Sequence, residues 1–186
     1  MATRPQRNLE SRNETAPGNP GTEAITLRAA IDADKEPVMQ IFNHYATASF
    51  AAYPDGPVPE RMFDLLQGEA LALIVAESGG TVIGFGMLKP FMPFTAFRSA
   101  ATASYFIGPG HTRVGVGTMI LERLEHTAKD AGVTTLLVHI SSKNEASIRF
   151  HQRNGFAEVG RLHSVGRKFG ESFDIVWMQK DIGSTG

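Results

Sequence analysis

The chain reads as an α/β protein, a single domain on a mixed β-sheet flanked by helices. Three observations predict this. Strand-like and helix-like segments alternate through the second half, which sets neighbouring strands parallel. Two apolar runs, Leu71–Ala76 and Thr81–Leu88, flank Ser78-Gly79-Gly80, a hairpin signal that adds an antiparallel pair. The 186 residues, 42% hydrophobic and 20% charged, suffice for one core and match globular composition.

The elements follow in order. Residues 1–24 are rich in Asn, Pro, Gly, Arg and Glu and poor in large apolar side chains, so they cannot offset the entropy of ordering and read as a flexible tail. Residues 25–183 read as the domain. Ala24–Arg28 is a short strand. Asp32 and Asp34 offer N-caps, Pro37 suits a first helical turn, and Val38, Ile41, Phe42 and Tyr45 fall on one helical face. Pro54 to Pro59 breaks that helix, and Met62, Phe63, Leu65 and Leu66 mark a second, short one. After the hairpin, Pro90–Phe97 is an aromatic loop and Ala101–Ile107 a strand. A glycine-containing loop, Gly108–Val114, leads into a helix from Gly117 to about Ala131, with Ile120, Leu121, Leu124 and Ala128 on one face and Gly132 as its stop. Thr134–Ile140 is a strand, Asn144 to Asn154 a helix ended by Gly155, and Phe156–Leu162 and Phe173–Gln179 are the last two strands.

Composition excludes several functions. A formal net charge of -1 argues against a general nucleic-acid binder. The absence of cysteine removes disulfides, thiolate metal ligands and a cysteine nucleophile, and fits a reducing compartment, the cytoplasm. No apolar run approaches the ~18 residues of a membrane span, and the early arginines have no apolar run behind them, as a secretory signal would. No His or carboxylate spacing matches a metal site, so no metal is expected.

The segment from Ile107 to Thr118 joins a strand to a helix N-terminus, where unpaired N–H groups and the helix dipole favour an anion. A Walker loop would need a Lys, which is missing. A dinucleotide fingerprint would need a third Gly where Ile120 stands. A plain glycine-rich turn is the remaining local reading.

Two motifs resemble the Gcn5-related N-acetyltransferase (GNAT) superfamily. Thr112-Arg113-Val114-Gly115-Val116-Gly117 is similar to its pyrophosphate loop, Gln/Arg-x-x-Gly-x-Gly/Ala, with Thr112 as a departure. Asn144-Glu-Ala-Ser147-Ile-Arg-Phe-His151-Gln-Arg-Asn-Gly155-Phe156 is similar to its Asn-x-x-Ala/Ser-x-x-x-Tyr/His-x-x-x-Gly-Phe helix, and the spacing puts Asn144, Ser147 and His151 on one face. The resemblance extends over residues 25 to about 182 and is closest to the phosphinothricin/methionine-sulfone type. Glu158 to Gly170, Asp174, Met178-Gln179, Ile41-Phe42-Asn43-His44, Met92-Pro93-Phe94 and Phe97-Arg98 carry that likeness.

The resemblance implies a GNAT fold, in which the parallel strands Ala101–Ile107 and Thr134–Ile140 splay apart. It implies acetyl-CoA as cosubstrate, a small-molecule amine as acceptor, and a homodimer with loops of both subunits near the acceptor. Cofactor contacts then fall on Tyr105, Phe106 and Ile107, on Arg113, Val114, Gly115, Val116, Gly117 and Thr118, and on Asn144 and Ser147. The Phe106 N–H would face the oxyanion, His151 would serve the leaving thiolate, and Phe94, Arg98 and Thr102 would meet the acceptor. Lys143 would add charge beside Arg113. Without cysteine a cysteine acyl-enzyme is impossible, and direct attack by the amine in a ternary complex is the consistent mechanism.

One position departs in a way that matters. The subfamily's expected base, a Glu, is replaced by Thr102, whose hydroxyl is no base near neutral pH. His139, where the subfamily usually has a small residue, could act instead, or be a hydrogen-bonded strand histidine. Met92 stands where the subfamily has Arg, and Phe91, Phe94 and Phe97 make that loop apolar. Two functions therefore stand open: an N-acetyltransferase for a small amine, and a non-catalytic acyl-CoA-binding sensor, which the loss of the Glu favours. Protein N-acetylation is a third.

Overall fold

The computed structural model describes residues 24–183; the expected tail, 1–24, falls almost wholly outside them. Seven strands form one sheet in the order β1-β2-β3-β4-β5-β7-β6. The strands are β1 (Ile25–Ala29), β2 (Ala72–Ser78), β3 (Thr81–Pro90), β4 (Ala100–Ile107), β5 (Thr135–Ser141), β6 (Ala157–Lys168) and β7 (Glu171–Asp181). The helices are α1 (Lys35–Ala48), α2 (Arg61–Glu69), α3 (Val116–Asp130) and α4 (Glu145–Arg153). All strand pairs are antiparallel except β4–β5, which is parallel. The mixed α/β architecture is thus the one expected. Among the described residues no helix is long and apolar enough to cross a membrane.

Each face of the sheet buries its own core. On one face Phe63, Val38, Met39 and Ile41 of α1 and α2 pack on Leu73, Val75, Phe85 and Met87. On the other, Ile120, Leu121, Leu124 and Ala128 of α3 pack on Ile74, Ala76, Leu136, Val138 and Met178. The apolar face read from the α3 sequence is the face that is buried. Gly86 marks the closest approach of α3 to the sheet: a Cβ there would lie 2.4 Å from Ile120 Cγ2 and 3.2 Å from Leu124 Cδ1.

Some expectations need correction. Asp34 does not cap α1 with its side chain. Its carboxylate is buried and accepts from the Ile31 N–H (2.8 Å) and from both guanidinium nitrogens of Arg28 (2.7 and 2.8 Å), while Arg28 also reaches Glu77. Burial works to raise the Asp34 pKa, but Arg28 and the Ile31 N–H outweigh it and hold the carboxyl below its usual range. The group ties β1 and β2 to the start of α1. The last two strands are longer than expected and form one hairpin. β6 is an edge strand exposed almost throughout, with register shifts at Glu158/Gly160 and Leu162/Gly166, so burial imposes no alternation there.

Packing at Gly86 gives a direct test. Gly86→Ala is expected to lower stability by about 1–3 kcal/mol through overpacking. Gly68→Ala, in α2 with nothing within 4 Å of the new Cβ, is expected to be neutral or stabilising by up to ~1 kcal/mol. Urea midpoints at unchanged slope would measure both.

Candidate active site

The site begins where two strands stop pairing. β4 and β5 are joined only at Ala100/Thr135, Ala101/Leu136 and Thr102/Leu137, and then diverge. The hydrogen bonds at the ends of the flanking ladders fix which backbone groups face the opening. Gly108 N–H donates to Ile83 C=O, and Phe91 N–H to Ala100 C=O, at the two ends of β3–β4. Antiparallel pairs alternate between bonded and unbonded. Thr102, Ser104 and Phe106 therefore direct their N–H and C=O to β3, while Ala103, Tyr105 and Ile107 turn theirs toward β5, Tyr105 and Ile107 beyond the last pair and so into the gap. On β5, Ser142 N–H donates to Asp174 C=O and Ile182 N–H to Thr134 C=O. Leu137, His139 and Ser141 accordingly turn their backbone toward β4. The expected oxyanion donor is corrected by this register: the Phe106 N–H belongs to the β3 ladder, the Ala103 N–H to the last β4–β5 pair, where it faces the Leu137 carbonyl, and Tyr105 is the residue whose N–H faces the gap. The Ile107 carbonyl already accepts from Tyr45 Oη at 2.6 Å.

A cavity of about 830 Å³ runs through the opening, within the usual range for small-molecule sites. Ala103 to Ile107 and Val138 to Ile140 line its walls, α1 contributes Tyr45 and the following turn Phe50, and α4 contributes Ser147, Phe150 and His151. At one end lies the glycine turn. Gly115 sits at φ +92°, a conformation that favours glycine, and caps α3. The first intrahelical bond is Met119 N–H to Gly115 C=O, so the N–H groups of Val116, Gly117 and Thr118 are left for an anion. Thr112, Arg113, Gly115, Gly117 and Thr118 all line the cavity. The Val116 side chain is buried in the core and Val114 is exposed, so each can offer only backbone. Lys143, expected as a helping charge, lines the cavity but pairs with Glu171 at 2.6 Å. Arg153, which the sequence reading missed, lines it too.

On the α3/α4 face, Asn144 accepts from the Ser147 N–H and caps α4. His151 is buried. Its Nδ1 lies 2.8 Å from the Ser147 carbonyl, which can only accept, so Nδ1 carries the proton. Its Nε2 lies 2.7 Å from Tyr105 Oη and, on the neutral ring, accepts the phenolic proton. Burial pushes the His151 pKa down, against the raising effect of the Ser147 carbonyl, and the neutral ring results. Burial, reinforced by Glu125, pushes the Tyr105 phenol far above its ordinary value, so it stays protonated. The Tyr105 hydroxyl, named from sequence only as a cofactor contact, is thus the partner of His151.

The α1/α2 face carries Thr102, Ser104 and Phe106 of β4 with Leu137 and His139 of β5. His139 lines the cavity, two residues beyond the last β4–β5 pair and on the same face as Thr102. Trp177, its β7 partner, packs against its ring, centroids 5.1 Å apart, and Phe91 packs on Trp177. Desolvation lowers the His139 pKa, which leaves it neutral near pH 7. Thr102 is half-buried beside the opening, and neither it, Phe94 nor Arg98 lines the cavity; Phe94 and Arg98 are exposed. His44 is exposed and edges onto Tyr45. Among the described residues no group of three or more His, Cys, Asp or Glu could hold a metal.

A base-like imidazole and a phenol–imidazole pair thus stand on opposite faces of a sheet, on either side of a gap that ends at a helix N-terminus. Known proteins resemble this chain in sequence and in fold. The chain is 30% identical to the L-amino acid N-acyltransferase MnaT of Escherichia coli (strain K12), over 85% of this chain and 94% of that one. It is 32% identical to the phosphinothricin N-acetyltransferase of Alcaligenes faecalis, over 90% and 89%. The solved structure of a GNAT superfamily phosphinothricin acetyltransferase from Sinorhizobium meliloti, in complex with acetyl-CoA, superposes with a TM-score of 0.79 at 27% identity, covering 86% of this chain and 89% of that one. The sequence profile of the Acetyltransferase (GNAT) family matches residues 38–156, and the chain belongs to that family.

Proposed function

We propose that this protein transfers the acetyl group of acetyl-CoA to the amine of a small, amino-acid-like molecule, by direct attack in a ternary complex. The observation that carries the reading is the cavity through the β4–β5 gap, which joins an anion-binding helix start to titratable groups on both faces. The names of the relatives support an amino-acid-like acceptor. The N–H groups of Val116, Gly117 and Thr118, with Arg113, hold the pyrophosphate. The thioester supplies the acetyl group.

The chain's residues divide three tasks. His139 takes the proton of the acceptor amine on the α1/α2 face. The Tyr105 N–H, the first β4 donor beyond the last β4–β5 pair, meets the thioester oxygen as it gains charge. On the α3/α4 face the Tyr105 O–H, which donates to His151 Nε2 before the reaction, rotates off that nitrogen to donate to the departing sulfur. The new N–C bond forms as C–S breaks; the electron pair leaves on sulfur and the amine proton leaves on His139. Phe94, Arg98 and Thr102 bear on the acceptor's approach from outside the cavity. A homodimer belongs to the same reading, since Val159, Leu162 and Val165 leave the edge strand β6 apolar and exposed.

The acyl-CoA sensor is the second reading, favoured by Thr102 at the expected carboxylate position. Calorimetric CoA binding with no thiol release across a panel of amines would establish it in place of the enzyme.

The base must be neutral to act, so kcat/KM falls as pH drops through its pKa, and that limb should lie below the ordinary histidine value of about 6.5. His139→Ala should lower kcat/KM about 100-fold and abolish the limb. An unchanged rate and profile would remove His139 from the mechanism. Tyr105→Phe should lower kcat roughly tenfold with the KM for acetyl-CoA unchanged, the pattern of an interaction made in the transition state.

A further inference from the structure

His139 is expected as a base, yet a neutral imidazole can hold its proton on either nitrogen, and only one tautomer offers a lone pair to the cavity. The surroundings of its ring decide which. Tyr53, in the segment between α1 and α2, stacks on the imidazole with centroids 5.6 Å apart at 24°. Its hydroxyl lies 3.0 Å from His139 Nδ1 and 3.1 Å from the His139 carbonyl oxygen.

That carbonyl has no ladder partner. It turns away from β7 toward β4, and β4–β5 pairing ends one step earlier, at Thr102/Leu137. The strand leaves that carbonyl free to accept, and a protein donor stands beside it. The phenol is the donor within reach, and it has one proton. A carbonyl can only accept, so that proton goes there, and the phenol oxygen is left to accept from Nδ1–H.

The phenol is held firmly where it stands. Lys168, buried at 1% exposure, donates from Nζ to the Ser49 and Ala52 carbonyls, 2.7 Å each. Phe50 packs on Phe169 and Phe173, and the Tyr53 ring stacks on Phe173. The β6–β7 hairpin end thereby grips the segment that carries Tyr53.

We propose that Tyr53 is a positioning residue for the reaction: by donating to the orphaned His139 carbonyl and accepting from Nδ1–H, it fixes the imidazole in the tautomer whose Nε2 lone pair is open to the cavity. The inference deepens the reading of His139 as base. When the acceptor N–H bond breaks, its proton goes to Nε2, and the resulting imidazolium keeps its Nδ1–H on the phenol oxygen. Tyr53 takes no proton and loses none; burial pushes its own pKa up to about 12. In this arrangement a neutral phenol and a strand carbonyl do what a carboxylate does behind many catalytic histidines.

Long-range proton–nitrogen spectra of histidine-labelled protein test this, with the His139 signals among the six histidines identified by their loss in His139→Gln. At a pH above the ring's titration, wild type should show a protonated Nδ1 and an unprotonated Nε2 at His139. Tyr53→Phe, which keeps the stacked ring, should shift the population toward Nε2–H. It should also lower kcat/KM roughly tenfold without changing the KM for acetyl-CoA, and add nothing to the loss in His139→Gln. A wild-type Nε2–H tautomer, or a tautomer indifferent to Tyr53→Phe, overturns the inference whatever the rates do. Undiminished turnover in His139→Gln removes the base reading instead, and leaves the tautomer result to be judged from the spectra alone.

Discussion

Pairing between β4 and β5 ends at Thr102/Leu137, and everything functional in this molecule follows from that point. A sheet that stayed paired would seal its two faces from each other. Once the strands part, Ala103, Tyr105 and Ile107 on one side and His139 and Ser141 on the other have backbone groups that no strand satisfies. Two of these groups take side-chain partners. Tyr45 takes the Ile107 carbonyl and Tyr53 the His139 carbonyl. The remaining groups form the polar lining of a channel through an otherwise apolar sheet. The same divergence puts His139 among α1-side residues and Tyr105 against α4, so the base and the sulfur's partner in the proposed reaction stand on opposite faces of the sheet.

The charge balance fits this arrangement. A net charge of -1 offers no general attraction to a polyanionic cosubstrate. The glycine turn resolves the difficulty, because an anion can be held by three helix-start N–H groups and the dipole behind them without a dense basic patch. Lys143, the side chain that local sequence offers as extra charge, is committed to Glu171. Arg113 and Arg153 supply what cationic lining the cavity has beyond it. The absence of cysteine excludes a cysteine acyl-enzyme, in keeping with the proposed direct attack.

What could be read from the sequence was local. The apolar face of α3, the turn at Gly115 and the shared face of Asn144, Ser147 and His151 depend on spacings of a few residues, and the structure places them where those spacings imply. What could not be read depends on partners far along the chain. Tyr53 meets His139 across 86 positions, and no local pattern announces it. The direction of the Phe106 N–H is set by the β3–β4 register, which alternation in one strand does not reveal. Asp34 resembles a helix cap by position, yet it serves Arg28, itself bound to Glu77 of another strand. The last two strands are legible in the sequence but not their full length, because an exposed edge strand has no buried face to impose a pattern.

The most direct measurement of the central claim is a crystal structure of the protein with a bisubstrate compound, the acceptor amine tethered to the sulfur of CoA. The account predicts the pantetheine arm inside the β4–β5 gap, the sulfur within about 3.5 Å of Tyr105 Oη, and the amine nitrogen facing His139 Nε2 from the α1/α2 side. A pantetheine arm lying outside the gap, or an amine bound on the same face as Tyr105, would contradict it.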